Sequence, residues 1–159
     1  MDKLMLFTDG SVNTRSKIGF GAYLAVSDNR LSPELLRAAV KVRRFGQTSS
    51  AKLELQTLLW ALSDIKSSGC KVVVYTDSQN IVGLQRRRDR LEQSDYLSKK
   101  GKLLGNAELY QELFRWIDQI NCVFVKVRGH QQSNQKDDID KLFELVDRAS
   151  RKALRDDNL

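Results

Sequence analysis

Apolar residues fall into short runs in the first half of the chain and into helical stripes after it. Residues 4–8 are a continuous apolar stretch that ends in Asp9-Gly10-Ser11, a turn signal. GFGAYLAV (19–26) reads as a second strand, with glycines that suit a close backbone approach. A third strand is expected around residues 36–45, where AAVKVRRF begins to alternate. Three runs with short links predict an antiparallel meander. The pattern then changes period. In SSAKLELQTLLWALSDIKSSG, Leu55, Leu58, Leu59, Leu62 and Ile65 recur at helical spacing. Ser49 and Ser50 stand where a cap is needed, and Gly69 lies just past the end.

VVVYT (72–76) has no polar alternation, which is how a strand covered on both faces reads. A short helix is expected to start at Ser78. Residues 86–102 are charged and poor in apolar positions. A helix follows over 107–120, with Leu109, Leu113, Trp116, Ile117 and Ile120 on one face. CVFVKVRG (122–129) predicts a fifth strand. The last helix, 137–154, carries Ile139, Leu142, Phe143, Val146, Ala149 and Ala153, and a tail at 155–159 is expected to fray. The succession predicts an α/β fold. Its five-stranded mixed sheet would have three antiparallel strands, then parallel additions, and helices on both faces. With 159 residues and no linker or repeat, one domain over 1–159 is expected.

Charge narrows the partner. The chain has 27 Lys and Arg against 20 Asp and Glu, a net +7, which favours a polyanion such as nucleic acid. Cys70 and Cys122 lack the spacing of a zinc site and read as reduced core thiols. No apolar run approaches the roughly 18 residues of a membrane span, and MDKLMLF lacks the organisation of a signal peptide. A cytoplasmic protein without a membrane partner is expected.

The acids carry the candidate chemistry. If the first and fourth strands are parallel neighbours, Asp9 and Asp77 face each other at one edge of the sheet. That is where open α/β sheets place their sites. Glu54 enters the preceding helix, and Asp147 lies at the inner margin of the last one. Carboxylates gathered at one point repel unless a cation is present. Hard divalent ions such as Mg²⁺ or Mn²⁺ resolve that repulsion, and a pair of them can clamp a phosphodiester. Asp137, Asp138, Asp140 and Glu144 compete with Asp147 for the fourth position. Helix register places Asp147 beside the apolar stripe.

FTDGS with Asp9, KLEL with Glu54, YTDSQN with Asp77, VRGH with His130 and ELVDRAS with Asp147 occur in one order along nearly the whole chain. In this the sequence resembles type 1 ribonuclease H. The resemblance implies an endonuclease that cuts the RNA strand of RNA–DNA hybrids with two Mg²⁺ ions, leaving 5′-phosphate and 3′-hydroxyl ends. It implies that Asp9, Glu54, Asp77 and Asp147 are the metal ligands, Asp9 bridging. ELVDRAS retains the family's Glu-x-x-Asp pattern, and the preference for Asp147 over the other acids of the last helix rests first on that. It further implies that His130 assists proton transfer or product release. Residues 86–102 match a basic protrusion, with Arg86, Arg87, Arg88, Lys99 and Lys100 expected on phosphates. Ser11, Ser49, Ser50 and Gln79 match substrate-contacting positions. The chain departs from the pattern at Ser50-Ala51, where relatives carry Asn-Asn. It departs again in VNTRSKIG after the first motif, where Asn13 or Arg15 is left to line a phosphate pocket. A monomer acting through this domain alone is expected. The competing reading is a non-catalytic nucleic-acid-binding module on the same fold, which loss of an acid would favour. Junction resolvases and 3′–5′ exonucleases of the same superfold are disfavoured by VRGH and the basic protrusion.

Overall fold

In the computed structural model, the described residues are 3–27, 31–65, 69–128 and 137–157. Five strands form one sheet: β1 Lys3–Asn13, β2 Ile18–Val26, β3 Lys41–Phe45, β4 Lys71–Thr76 and β5 Cys122–Lys126. The order across the sheet is β3-β2-β1-β4-β5. β1 pairs antiparallel with β2, and β2 with β3; β4 runs parallel to both β1 and β5. The expected mixed sheet is therefore present.

Six helices connect the strands within the described residues: α1 Pro33–Ala39, α2 Ser50–Ile65, α3 Gln79–Val82, α4 Leu84–Gln93, α5 Ala107–Gln119 and α6 Asp138–Asp157. They cover both faces. Leu6, Val72 and Val74 point to the side of α2 and α5, packing with Leu55, Leu58, Leu62 and Leu113. Phe7, Val73 and Tyr75 point to the other side, toward Phe143 and Val146 of α6. This two-residue alternation explains why β4 is apolar at every position: each face has its own core.

Four expectations change. Asp9-Gly10-Ser11 is not a turn, because β2 continues to pair with β1 through Asn13. The real turn is at 14–17, where Asn13 Oδ1 accepts from Arg15 N at 2.9 Å and Lys17 takes a positive φ of 60°. Residues 36–39 are helical rather than extended. Ser32 Oγ accepts from Leu35 N at 3.2 Å and Pro33 opens the helix, so local capping outweighs the alternation, which is confined to 41–45. β5 stops at Lys126 rather than continuing to 129. Finally, α6 continues through Asp157. Arg44–Asp157 and Lys152–Asp156 ion pairs at 3.5 and 2.9 Å hold the end that was expected to fray.

Glycines decide how closely α2 sits on the sheet. A Cβ at Gly10 or at Gly19 would lie 2.8 Å from Leu53 Cδ2, and one at Gly21 would lie 2.1 Å from Thr57 Oγ1. Only bare backbone lets the helix descend this far, and Glu54 opens its second turn.

Candidate active site

Side-chain alternation carries Asp9 to the same face as Phe7, and Asp77 continues the series Val73, Tyr75 on the neighbouring strand. Phe7 and Tyr75 stack with ring centroids 4.8 Å apart, a rigid apolar floor below the two acids. α6 crosses this face, and its Asp147 comes within hydrogen-bonding reach of Asp9. From the opposite layer, Glu54 Oε2 accepts from Ser78 Oγ at 2.6 Å. Ser78 also caps α3, accepting from Ile81 N at 3.1 Å. One serine thereby ties the end of β4 to the start of α2, and brings Glu54 toward Asp77.

The electrostatics follow from that crowding. Asp9 is pushed up to about 8, first by burial, then by the charge of Asp77 and the proximity of Asp147; the Gly10 backbone N–H opposes this. Glu54 is also raised. Burial is the main cause and Asp77 adds to it, while the Ser78 hydrogen bond works the other way. Among the described residues no three His, Cys, Asp or Glu side chains form a ready-made metal cage. Asp147 is turned partly to Arg151, 2.9 Å away, and Glu54 to Ser78. The donor chemistry still fits a hard divalent cation. The groups are all carboxylate oxygens, and the innermost holds its proton because burial and like charge penalise its anion. A cation at that point relieves the same penalty.

The other acids considered for the fourth position are engaged at the start of α6. Asp140 N donates to Asp137 Oδ1 at 2.8 Å and Asp137 N to Asp140 Oδ2 at 3.3 Å, a reciprocal cap. Glu144 pairs with Arg148. Asp138 is exposed in the first turn. Asp147 is the acid of α6 that reaches Asp9. His130 lies outside the described residues.

The expected substrate contacts separate into two kinds. Ser49 and Ser50 are exposed at the start of α2, with Ser49 Oγ accepting from Lys52 N at 3.2 Å. Gln79 is exposed at the start of α3. Arg86, Lys99 and Lys100 are exposed as well. Ser11, in contrast, is tied to α6: its Oγ lies 3.1 Å from Ser150 Oγ. Arg87 braces α4 against α3, donating to Asn80 O and Oδ1 at 2.9 and 2.6 Å. Arg88 grips Asp118 at 2.7 and 2.8 Å and Glu92 at 2.6 Å, and lies over the Phe114 ring. Both arginines, expected on phosphate, brace the protrusion in this structure. Asn13, left open for a phosphate pocket, is used by its own turn.

Two contacts were missed from sequence. Ser150 is fully buried and also donates to Asp147 O at 3.1 Å. A serine on the helical stripe of Phe143 and Val146 was the available signal. Lys126 Nζ donates to Gln79 Oε1 at 3.1 Å, across 47 residues, and nothing local announces it.

A mixed sheet in this order, with one acid on β1, one just after the neighbouring parallel β4 and one on a helix over each face, has the architecture of the ribonuclease H fold. The comparisons agree with it. The RNase H family model matches residues 1–153, and the chain belongs to that family. Ribonuclease H of Moorella thermoacetica is 28% identical over 145 residues, covering 89% of this chain and 90% of that one. Ribonuclease H of Caldicellulosiruptor saccharolyticus is 26% identical over 132 residues, covering 82% and 86%. Among solved structures, the prototype foamy virus RNase H domain (PFV) superposes with a TM-score of 0.72 at 15% identity, covering 94% of this chain and 92% of that domain. LC9-RNase H1, a type 1 RNase H with the type 2 active-site motif, gives 0.70 at 21%, covering 96% and 72%.

Proposed function

We propose that this chain is an endoribonuclease that hydrolyses the RNA strand of RNA–DNA hybrids at the Asp9 edge, leaving 5′-phosphate and 3′-hydroxyl ends. The observation that carries the reading is the meeting of Asp9, Asp77 and Asp147 on one face, with Asp9 raised to about 8 by burial and its acidic neighbours. An edge built to concentrate negative charge is suited to divalent cations and, through them, to a phosphodiester. Asp9, Glu54, Asp77 and Asp147 would hold the ions, Mg²⁺ or Mn²⁺. Such ions, when bound, stabilise the negative charge on the attacking water and on the leaving 3′-oxygen.

The chain's own residues do the rest. Ser78 holds Glu54 at the rim. Ser11 and Ser150 hold α6 against β1, and with it Asp147. Exposed Ser49, Ser50 and Gln79 offer hydrogen bonds to the minor groove of the hybrid, where 2′-hydroxyls distinguish RNA. Arg86, Lys99 and Lys100 lie along the protrusion as phosphate contacts with a salt-sensitive contribution. Proton transfer or product release falls to His130.

The test is cleavage of an RNA–DNA hybrid, an RNA duplex and a DNA duplex, each with Mg²⁺ and with EDTA. Hybrid-selective cutting that EDTA abolishes is expected, and Asp77→Asn is expected to lose it. A chain that binds the hybrid tightly but never cuts it would instead be the non-catalytic module.

A further inference from the structure

Period two carries Cys122, Phe124 and Lys126 to one side of β5. Cys122 belongs to the core under α2 and α5, and Phe124 packs against it. Lys126 continues that side at the end of the strand, in register with Thr76. There it meets α3 instead of the core, and its Nζ donates to Gln79 Oε1 at 3.1 Å. Both side chains are exposed. Lys126 also lines, with Asp77, Val127 and Arg128, an open cleft of about 520 Å³. The Lys126–Gln79 pair therefore stands at the rim of the catalytic edge.

A carboxamide has a donor end and an acceptor end of nearly the same shape, and an unrestrained glutamine can present either. Lysine has three donors and no acceptor, so only the oxygen can face it. The other end of the amide, Nε2, lies toward Gly83, 3.8 Å from where a Cβ on that residue would stand. With glycine there, no side chain at that position covers the NH₂. The two ends differ in what they can read. Every base pair presents acceptors in the minor groove, purine N3 and pyrimidine O2, and only guanine adds a donor, its 2-amino group. An NH₂ finds a partner at any sequence. An amide free to turn would also offer its oxygen to guanine.

We propose that Lys126 is a positioning residue that holds the NH₂ end of Gln79 toward the substrate, and thereby makes the minor-groove contact of Gln79 independent of base sequence. The inference rests on the hybrid reading above and deepens it by assigning the polarity of one contact and the residue that sets it. The device suits an enzyme whose substrate is defined by sugar and helix shape and not by base order.

Hybrid binding is measured in EDTA. A chain that binds without cutting then leaves this test intact, and a chain that binds no hybrid overturns the proposal together with the reading under it. Guanines of the hybrid are replaced one at a time by inosine, which keeps N3 and lacks the 2-amino group. The wild type is expected to bind all of these hybrids alike. Lys126→Met frees the amide and is expected to favour guanine over inosine at one position by about two- to ten-fold, the range of a single hydrogen bond. Lys126→Glu accepts from the NH₂ and turns the oxygen outward, so it is expected at the upper end of that range at the same position. Lys126→Arg, again all donors, is expected to restore indifference. Gln79→Ala is expected to abolish the preference in every background. The side chains changed are exposed, so melting temperatures are expected to hold. Indifference of both Lys126→Met and Lys126→Glu at every guanine, with the hybrid still bound, overturns the proposal. So does a uniform loss of affinity with a flatter salt slope and no change of preference, since Lys126 would then act on phosphate as a simple charge. A guanine preference already present in the wild type and lost in Gln79→Ala overturns it as well.

Discussion

Replacing Asp9 with Asn should make the metal-free protein more stable while abolishing its activity. In the folded chain Asp9 is raised from 3.8 to about 8 by burial, Asp77 and Asp147. A carboxyl whose folded value lies above its unfolded value stabilises the fold when protonated. That contribution is full below about pH 4 and is lost as the pH rises through about 8. By pH 7 some three pH units of the interval have been crossed, at about 1.4 kcal/mol each, a ceiling of about 4 kcal/mol. Solvent at the rim and relaxation of the neighbouring acids reduce this, and about 1–3 kcal/mol is the expected gain for Asn. The Asn carboxamide also supplies the donor to Asp147 that protonated Asp9 supplies. The assay is urea unfolding by circular dichroism in EDTA, at pH 4 and at pH 7. For a chain of this size the gain corresponds to roughly 3–8 °C in melting temperature. The two proteins should match at pH 4 and diverge at pH 7. Millimolar Mg²⁺ should narrow the gap by stabilising the wild type alone. An Asn variant that is no more stable at pH 7, or equally shifted at both pH values, would refute the reasoning.

Gly21→Ala places a Cβ 2.1 Å from Thr57 Oγ1 and should destabilise the fold by about 1–3 kcal/mol in the same unfolding assay. Ser150→Ala removes the hydrogen bond to Ser11 and should cost about 1 kcal/mol; Ser11→Ala in the same background should then cost nothing more, a double-mutant test of the pair. The Cys122 thiol is pushed up to about 11 by burial, so at pH 8 a thiol reagent should label half-buried Cys70 first and Cys122 only on unfolding. Equal labelling of both in the native state would contradict the packing of β5 against the core.

Much of this molecule could be read along the chain because its physics is local. Continuous apolar runs or alternation marked the five strands, and an apolar period of 3.6 the long helices. The serines before α2 and α3 announced their caps, and both caps form. The acids Asp9, Glu54, Asp77 and Asp147 could be read together because their motifs follow one another in a single order, although only Asp77 and Glu54 lie near the end or start of an element, Asp9 being inside β1 and Asp147 inside α6. Where local signals competed, the reading failed. Ser32-Pro33 started a helix inside a segment that seemed extended, and Asp9-Gly10 looked like a turn although β2 stays paired beyond it.

Tertiary structure decided what depends on distance across the fold. It brought Asp147, and not Asp137, Asp138, Asp140 or Glu144, to Asp9, because only the docking of α6 on β1 determines which turn of the helix meets Asp9. It tied Arg87 and Arg88 to the scaffold of the protrusion through Asn80 and Asp118, 7 and 30 residues away. It also set the protonation of Asp9, a property of three carboxylates brought together and of no single residue. Sequence by itself determined which residue types were available and at what period. The sheet register and the glycine-permitted descent of α2 determined which of them meet.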